Sequence, residues 1–124
     1  MSNEIQRVHK PWGYELIWAR SSSYAGKILV IHAGGMLSRQ YHERKEETIY
    51  VLQGTLRLEL GKNGEDVRHL AMGEAFHIAP GTVHRFCAEE TEVRLAEVSS
   101  PELDDVVRLH DDYGRAPSPE GGPL

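Results

Sequence analysis

Apolar and polar residues alternate along most of this chain with the period of a β-strand. In Leu56-Arg57-Leu58-Glu59-Leu60 the leucines fall on one face and the charges on the other, the pattern of a half-buried strand. Similar short runs, rich in β-formers and bounded by turn residues, predict nine strands over 14–19, 27–32, 37–42, 48–52, 55–60, 67–71, 75–78, 83–88 and 92–98. Glycine and proline punctuate them at near-even intervals (Gly13, Gly26, Gly34-Gly35, Gly54, Gly61, Gly64, Gly73, Pro80-Gly81), which points to an all-β sandwich or barrel. Asn63-Gly64 after Leu60 is a hairpin turn signal. Helix is expected only as a turn or two in 101–110, PELDDVVRLH, with Leu103, Val106, Val107 and Leu109 on its apolar side. The Pro/Gly/Ser-rich end APSPEGGPL, residues 116–124, has the composition of a disordered tail, leaving one domain over 1–115.

Composition narrows the function. A chain of 124 residues can bury a real core as one domain without staples. Fourteen basic against nineteen acidic residues give a net charge of −5, and no basic run occurs, so a nucleic-acid partner is not expected. The single cysteine, Cys87, cannot close an intrachain bridge and fits a reducing compartment. The polar start MSNEIQRVHK lacks the apolar core of a signal peptide, and the longest aliphatic run, Ile28 to Ile31, is far short of a membrane span. A soluble cytoplasmic protein without a membrane partner is the expectation.

Candidate chemistry gathers in GGMLSRQYHERKEETIYVLQG, residues 34–54. Residues two apart on a strand share a face, so Gln40 and His42 point the same way, about 6–7 Å apart. Glu47 is an odd number of positions further on. It joins them only if Glu43-Arg44-Lys45-Glu46 is a turn and 48–52 runs back antiparallel. His84, just past the Pro80-Gly81 turn, could reach the same point across a closed barrel. Two imidazoles, a carboxylate and an amide oxygen form a mixed N/O set that suits zinc, manganese or ferrous iron and does not suit thiolate-seeking copper(I) or iron–sulfur clusters.

These segments resemble the paired motifs of the cupin superfamily. The first, Gly, five residues, His-x-His, three or four residues, Glu, six residues, Gly, is met in spacing by Gly34, Gln40, His42, Glu47 and Gly54. The second, Gly, five residues, Pro-x-Gly, two residues, His, maps onto Gly73, Ala79-Pro80-Gly81 and His84. The resemblance implies a double-stranded β-helix, or jelly-roll barrel, and one divalent metal on Gln40, His42, Glu47 and His84. Two positions depart from the pattern. Ala79 fills the proline slot, with Pro80 one step later, where it can set the same bend. Gln40 replaces the first histidine, as in mannose-6-phosphate isomerases, which carry a Gln-x-His pair in this slot. KPWGYEL, YAGKILVI, LSRQYHERKEE, PGTVHRF and EVSSPELDDVVRLHDDYGR also look like the cupin domain of type II phosphomannose isomerases, over nearly the whole stretch from Lys10 to Arg115. No Gly-rich nucleotide loop precedes the barrel, so the guanylyl transfer of those bifunctional enzymes is not expected.

The resemblance implies aldose–ketose isomerisation, which needs a metal to hold two sugar oxygens and a base to move a proton between adjacent carbons. Lys27, which matches a lysine of the resembling enzymes, and His77 are the candidates for the proton transfer; Arg44, Lys45, Tyr50 and Arg85 are candidates for binding a sugar or sugar phosphate. Strand alternation qualifies two of them. His77 faces outward if Phe76 and Ile78 face the core, and Arg85, next to a ligand, points away from the metal toward a structural salt bridge. Two other functions share the motif set: a sugar- or metal-binding module without catalysis, and a metal-dependent dioxygenase or epimerase, against which Gln40 argues weakly. A homodimer is expected of a small chain of this kind.

Overall fold

The alternation in the sequence becomes strand pairing. The computed structural model describes residues 4–114, in which eleven strands form: β1 Gln6–Lys10, β2 Gly13–Arg20, β3 Ala25–Ile31, β4 Arg39–Tyr41, β5 Glu47–Gln53, β6 Leu56–Leu60, β7 Asp66–Leu70, β8 Ala75–Ile78, β9 His84–Cys87, β10 Val93–Ser99 and β11 Val107–His110. They build two antiparallel sheets, one ordered β1-β2-β3-β10-β5-β8 and the other β11-β4-β9-β6-β7. The all-β expectation holds, and each of the nine expected strands is present with its ends moved by a few residues at most.

Residues on the facing sides of the two sheets make the core. Leu29 and Ile31 of β3, Ile49 and Val51 of β5, Leu56 and Leu58 of β6, Phe86 of β9, and Val93 and Leu95 of β10 are buried in one cluster. Each such side chain contributes roughly 1.5–3 kcal/mol relative to exposure, so this cluster holds the sheets together. β6 shows how the pattern acts: Leu56, Leu58 and Leu60 are buried, while Arg57 and Glu59 meet on the opposite face as an ion pair of 3.1 Å.

Three local expectations change. Residues 101–110 form no helix; 101–106 is a run of irregular turns, and Val107–His110 is strand β11, paired with β4. The edge of β4 offers unpaired backbone groups, and satisfying them outweighs a short helix with no partner for its own ends. β4 and β5 are not a hairpin, because they lie in different sheets. The stretch 43–46 is a bend that carries the chain from one sheet to the other. β1 was not foreseen: its polar residues show no alternation, and it forms by edge pairing with β2 from Gln6↔Ile17 to Lys10↔Gly13. The expected tail at 116–124, and residues 1–3 and 115 of the expected domain, lie outside the described residues.

Gly54 shows why a motif glycine is required. It sits at φ +79° where the chain crosses from β5 to β6 and the other sheet, and a Cβ there would fall 2.4 Å from the carbonyl oxygen of Glu92. Only glycine meets both conditions cheaply. No helix among the described residues is long and apolar enough to cross a membrane.

Candidate metal centre

The two sheets meet at a point that neither could furnish alone. Gln40 on β4 and His84 on β9 are direct cross-strand partners, so both project to the same face of the second sheet. His42 lies just past β4, where the chain leaves that sheet, and Glu47 is the first residue of β5 in the other. One ligand atom each from His42, Glu47 and His84 lies within 4.8 Å of the others, and all three residues are buried. The Nε2 atoms of His42 and His84 stand 3.2 and 3.4 Å from Glu47 Oε1.

Hydrogen bonds fix which ring nitrogens face this point. His42 Nδ1 donates to the carbonyl oxygen of Asp105, and His84 Nδ1 donates to that of Thr82 at 2.8 Å. Each ring therefore presents Nε2 as its lone-pair nitrogen, the arrangement typical of metal-ligating histidines. His42 Nε2, His84 Nε2 and Glu47 Oε1 are all buried without a hydrogen-bond partner despite their closeness. Three convergent acceptor atoms left unsatisfied are costly unless a cation sits among them. The residues thus fit a divalent ion, and the N/N/O donor set matches zinc, manganese or iron. Gln40 Oε1 accepts from Ser38 Oγ at 2.6 Å and retains a second lone pair for the same ion.

The surroundings are ionic. Lys45 Nζ is buried between Glu97 Oε2 at 3.1 Å and Glu47 Oε2 at 3.4 Å. Burial works against its charge, yet the two carboxylates raise its pKa above the ordinary lysine value. Burial also opposes ionisation of Glu47, but a proton on the facing Nε2 of His42 or His84 and the Lys45 ammonium hold its carboxyl well below the usual range. Glu97 goes the other way: complete burial, then the charge of Glu47, push it up to about 8. Asp105 organises the bend, its carboxylate accepting from the backbone N–H groups of Glu43, Arg44 and Lys45 at 3.1, 2.7 and 2.9 Å. Gly81 N donates to the His42 carbonyl at 2.7 Å and ties the two motifs together.

Beside this point opens a cavity of about 1550 Å³, with Gln40, His42, Glu47, Lys45 and Lys27 in its wall. Arg44 is exposed on the bend and also lines it. The remaining candidates stand elsewhere. His77 pairs with Thr48 across the outer side of the first sheet and contacts Glu46 at 2.7 Å, exposed. Tyr50, exposed, is on that same outer side. Arg85 points away from the cavity, donating to the Leu37 carbonyl at 2.8 Å and pairing with Asp112 at 2.7 Å. Glu15, Glu97 and Asp105 line the cavity but were not singled out in the sequence. For Glu97 a signal existed, since it is a charge on the phase of Val93 and Leu95; Glu15 gave none, because Tyr14, Leu16 and Trp18 on the other phase are the more apolar set. Asp105 gave none, because its partners are about sixty residues away in the chain.

Comparison with known proteins agrees with the fold. The family model described as Cupin domain matches residues 27–99. Mannose-1-phosphate guanylyltransferase ManC of Salmonella typhimurium is 38% identical over 117 residues, covering 89% of this chain and 23% of its own length. Mannose-1-phosphate guanylyltransferase of Escherichia coli is 34% identical, with the same coverage of each chain. The chain thus spans under a quarter of the length of these curated relatives. Among solved structures, KdgF from Halomonas sp. superposes with a TM-score of 0.69 at 26% identity, over 80% of this chain and 88% of that one. The polyketide cyclase RemF from Streptomyces resistomycificus reaches 0.74 at 20% identity, over 88% and 82%, a likeness of fold.

Proposed function

The chain belongs to the cupin domain family, and from that premise we propose that it holds one divalent metal on Gln40, His42, Glu47 and His84 and isomerises a sugar phosphate, in the manner of a mannose-6-phosphate isomerase. The observation that carries this reading is the convergence of the two orphaned imidazole nitrogens and the Glu47 oxygen beside Gln40, at the edge of a polar cavity. The Gln-x-His pair and the mannose-phosphate relatives support the choice of substrate. A divalent ion held there supplies Lewis acidity toward the carbonyl and the neighbouring hydroxyl of an open-chain sugar. The protein's own part is to orient that sugar and move one proton between adjacent carbons. Of the two groups considered for the proton, Lys27 is in the cavity wall and His77 is on the far side of the sheet, so the reading places this step at Lys27.

Purified protein loaded with zinc, manganese, cobalt or iron is expected to convert mannose 6-phosphate to fructose 6-phosphate, followed by a coupled assay. Absence of turnover with every one of these ions sinks the isomerase reading. A second reading, a sugar-binding module without catalysis, is favoured by one fact: Lys27 and Lys45 are each already held by carboxylates. Binding of mannose 6-phosphate without turnover would select it. Exposed Trp18, Tyr50, Leu52 and Val98 on the outer side of the first sheet support a homodimer as part of the proposal.

A further inference from the structure

Glu47 turns its two oxygens to different neighbours. Oε1 stands 3.2 and 3.4 Å from the Nε2 atoms of His42 and His84 and is buried without a hydrogen-bond partner, whereas Oε2 lies 3.4 Å from Lys45 Nζ. Glu97 Oε2 holds the same ammonium from another side at 3.1 Å. The backbone fixes each member of this chain of contacts. Lys45 N donates to Asp105 Oδ2 at 2.9 Å in the bend. Glu97 shares the lumen face of β10 with Ser99, the cross-strand partner of Glu47. Lys45 and Glu97 are buried, so little water screens the pair. A lysine here is a poor choice for packing alone. Its charge repels any divalent ion held by Glu47, and its burial needs a second buried carboxylate. Two apolar residues would fill the same space without desolvating an ion pair.

We propose that Lys45 is a positioning residue for the metal: anchored by Glu97, it occupies Glu47 Oε2 and so makes Glu47 a one-oxygen ligand. The inference rests on the metal reading above, not on isomerisation, and goes beyond it by naming the residue that sets how the ion is bound. Carboxylates take divalent ions through one oxygen or through both. A glutamate with nothing on its second oxygen is free to close both on an ion set among His42, His84 and Gln40. Engaging Oε2 prevents this and has two effects. It leaves one more position at the ion open to ligand atoms, and it draws charge from the carboxylate, so that the ion remains the stronger Lewis acid. Lys45 does both without touching the ion.

Coordination, not turnover, tests this. Zinc-loaded full-length protein is crystallised as the wild type, as Glu97→Gln and as the double variant Lys45→Met/Glu97→Leu. The visible absorption of each cobalt-loaded form, which weakens as more atoms coordinate the ion, reports the same quantity in solution. Wild type and Glu97→Gln, which both keep the lysine, are expected to show one Glu47 oxygen at the zinc. The double variant is expected to show both, with a weaker cobalt spectrum. Changing Lys45 and Glu97 together leaves no uncompensated buried charge, and Lys45→Leu/Glu97→Leu replaces the first double variant if that one does not fold. A role in packing alone would leave the coordination and the spectrum unchanged. Two Glu47 oxygens at the zinc of the wild type, or one in a folded double variant with the wild-type cobalt spectrum, overturns the positioning role while the bound zinc upholds the metal reading. Wild-type protein that takes up neither ion overturns both.

Discussion

The lumen of the barrel has two halves, and the same strands furnish both. β5 passes from Glu47 to Ile49 and Val51, β10 from Val93 and Leu95 to Glu97, and β3 from Lys27 to Leu29 and Ile31. Cross-strand register aligns the change: Leu95 faces Leu29 and Val51, while Glu97, two residues on, faces Lys27 and Ile49. One half is aliphatic and closed. The other is ionic, contains the convergent histidines and opens to the cavity. A single step of two residues therefore separates positions that stabilise the fold from positions that cost stability and hold chemistry. The aliphatic half is what allows the ionic half to exist, because its burial offsets the desolvation of the charges beside it.

Substitutions in the two halves should separate these roles. His84→Ala in the ionic half is expected to lower metal affinity at least about a hundredfold, since even outer partners of metal ligands are worth 10–100-fold. Elemental analysis after reconstitution, about one equivalent in the wild type and none in the variant, checks it; equal metal content would dissolve the distinction between the halves. Leu58→Ala in the aliphatic half is expected to cost about 2–5 kcal/mol through the cavity it leaves. Urea denaturation measures that loss, and metal stoichiometry in the folded protein should not change.

The smallest effect sharpens the boundary between them. Burial opposes ionisation of Asp105, but the N–H donors of Arg44, Lys45 and Glu43 hold its carboxyl below the ordinary value. A depressed carboxyl stabilises the folded state fully above its unfolded pKa and loses that contribution as pH falls through the folded one. Thermal unfolding should therefore drop toward acid, and Asp105→Asn should show a shallower acid dependence. Glu47, Glu59 and Asp112 are depressed as well and keep part of the slope. Because Asp105 sets the bend that carries Lys45 and leads to Glu47, the variant should also bind metal about tenfold more weakly. An unchanged acid slope together with unchanged metal affinity would show that the bend holds itself.

Much of this was legible in the residues. The strands followed from alternation, and the convergence of His42, Glu47 and His84 from spacing and from the resemblance of two motifs. The outward position of His77 followed from the apolar phase of Phe76 and Ile78, which the structure places half-buried and buried. Another feature was legible in principle. Glu97 breaks the apolar phase that Val93 and Leu95 set, and a charge in that phase is a stronger pointer than a histidine in a loop. The helix expected at 101–110 failed because an amphipathic pattern of ten residues does not say whether an unpaired strand edge lies nearby.

What the sequence determined by itself was local: the period of two, the turns that need glycine, and the residue types able to hold a metal. What only the tertiary structure decided was which sheet each strand joined. Alternation specifies the buried face of a strand but not its neighbours, so β4 and β5 read as a hairpin and proved to lie in opposite sheets. The separation is what lets His42 and Glu47 approach from two walls of one lumen. Asp105, about sixty residues downstream in the chain, then fixes the bend between them.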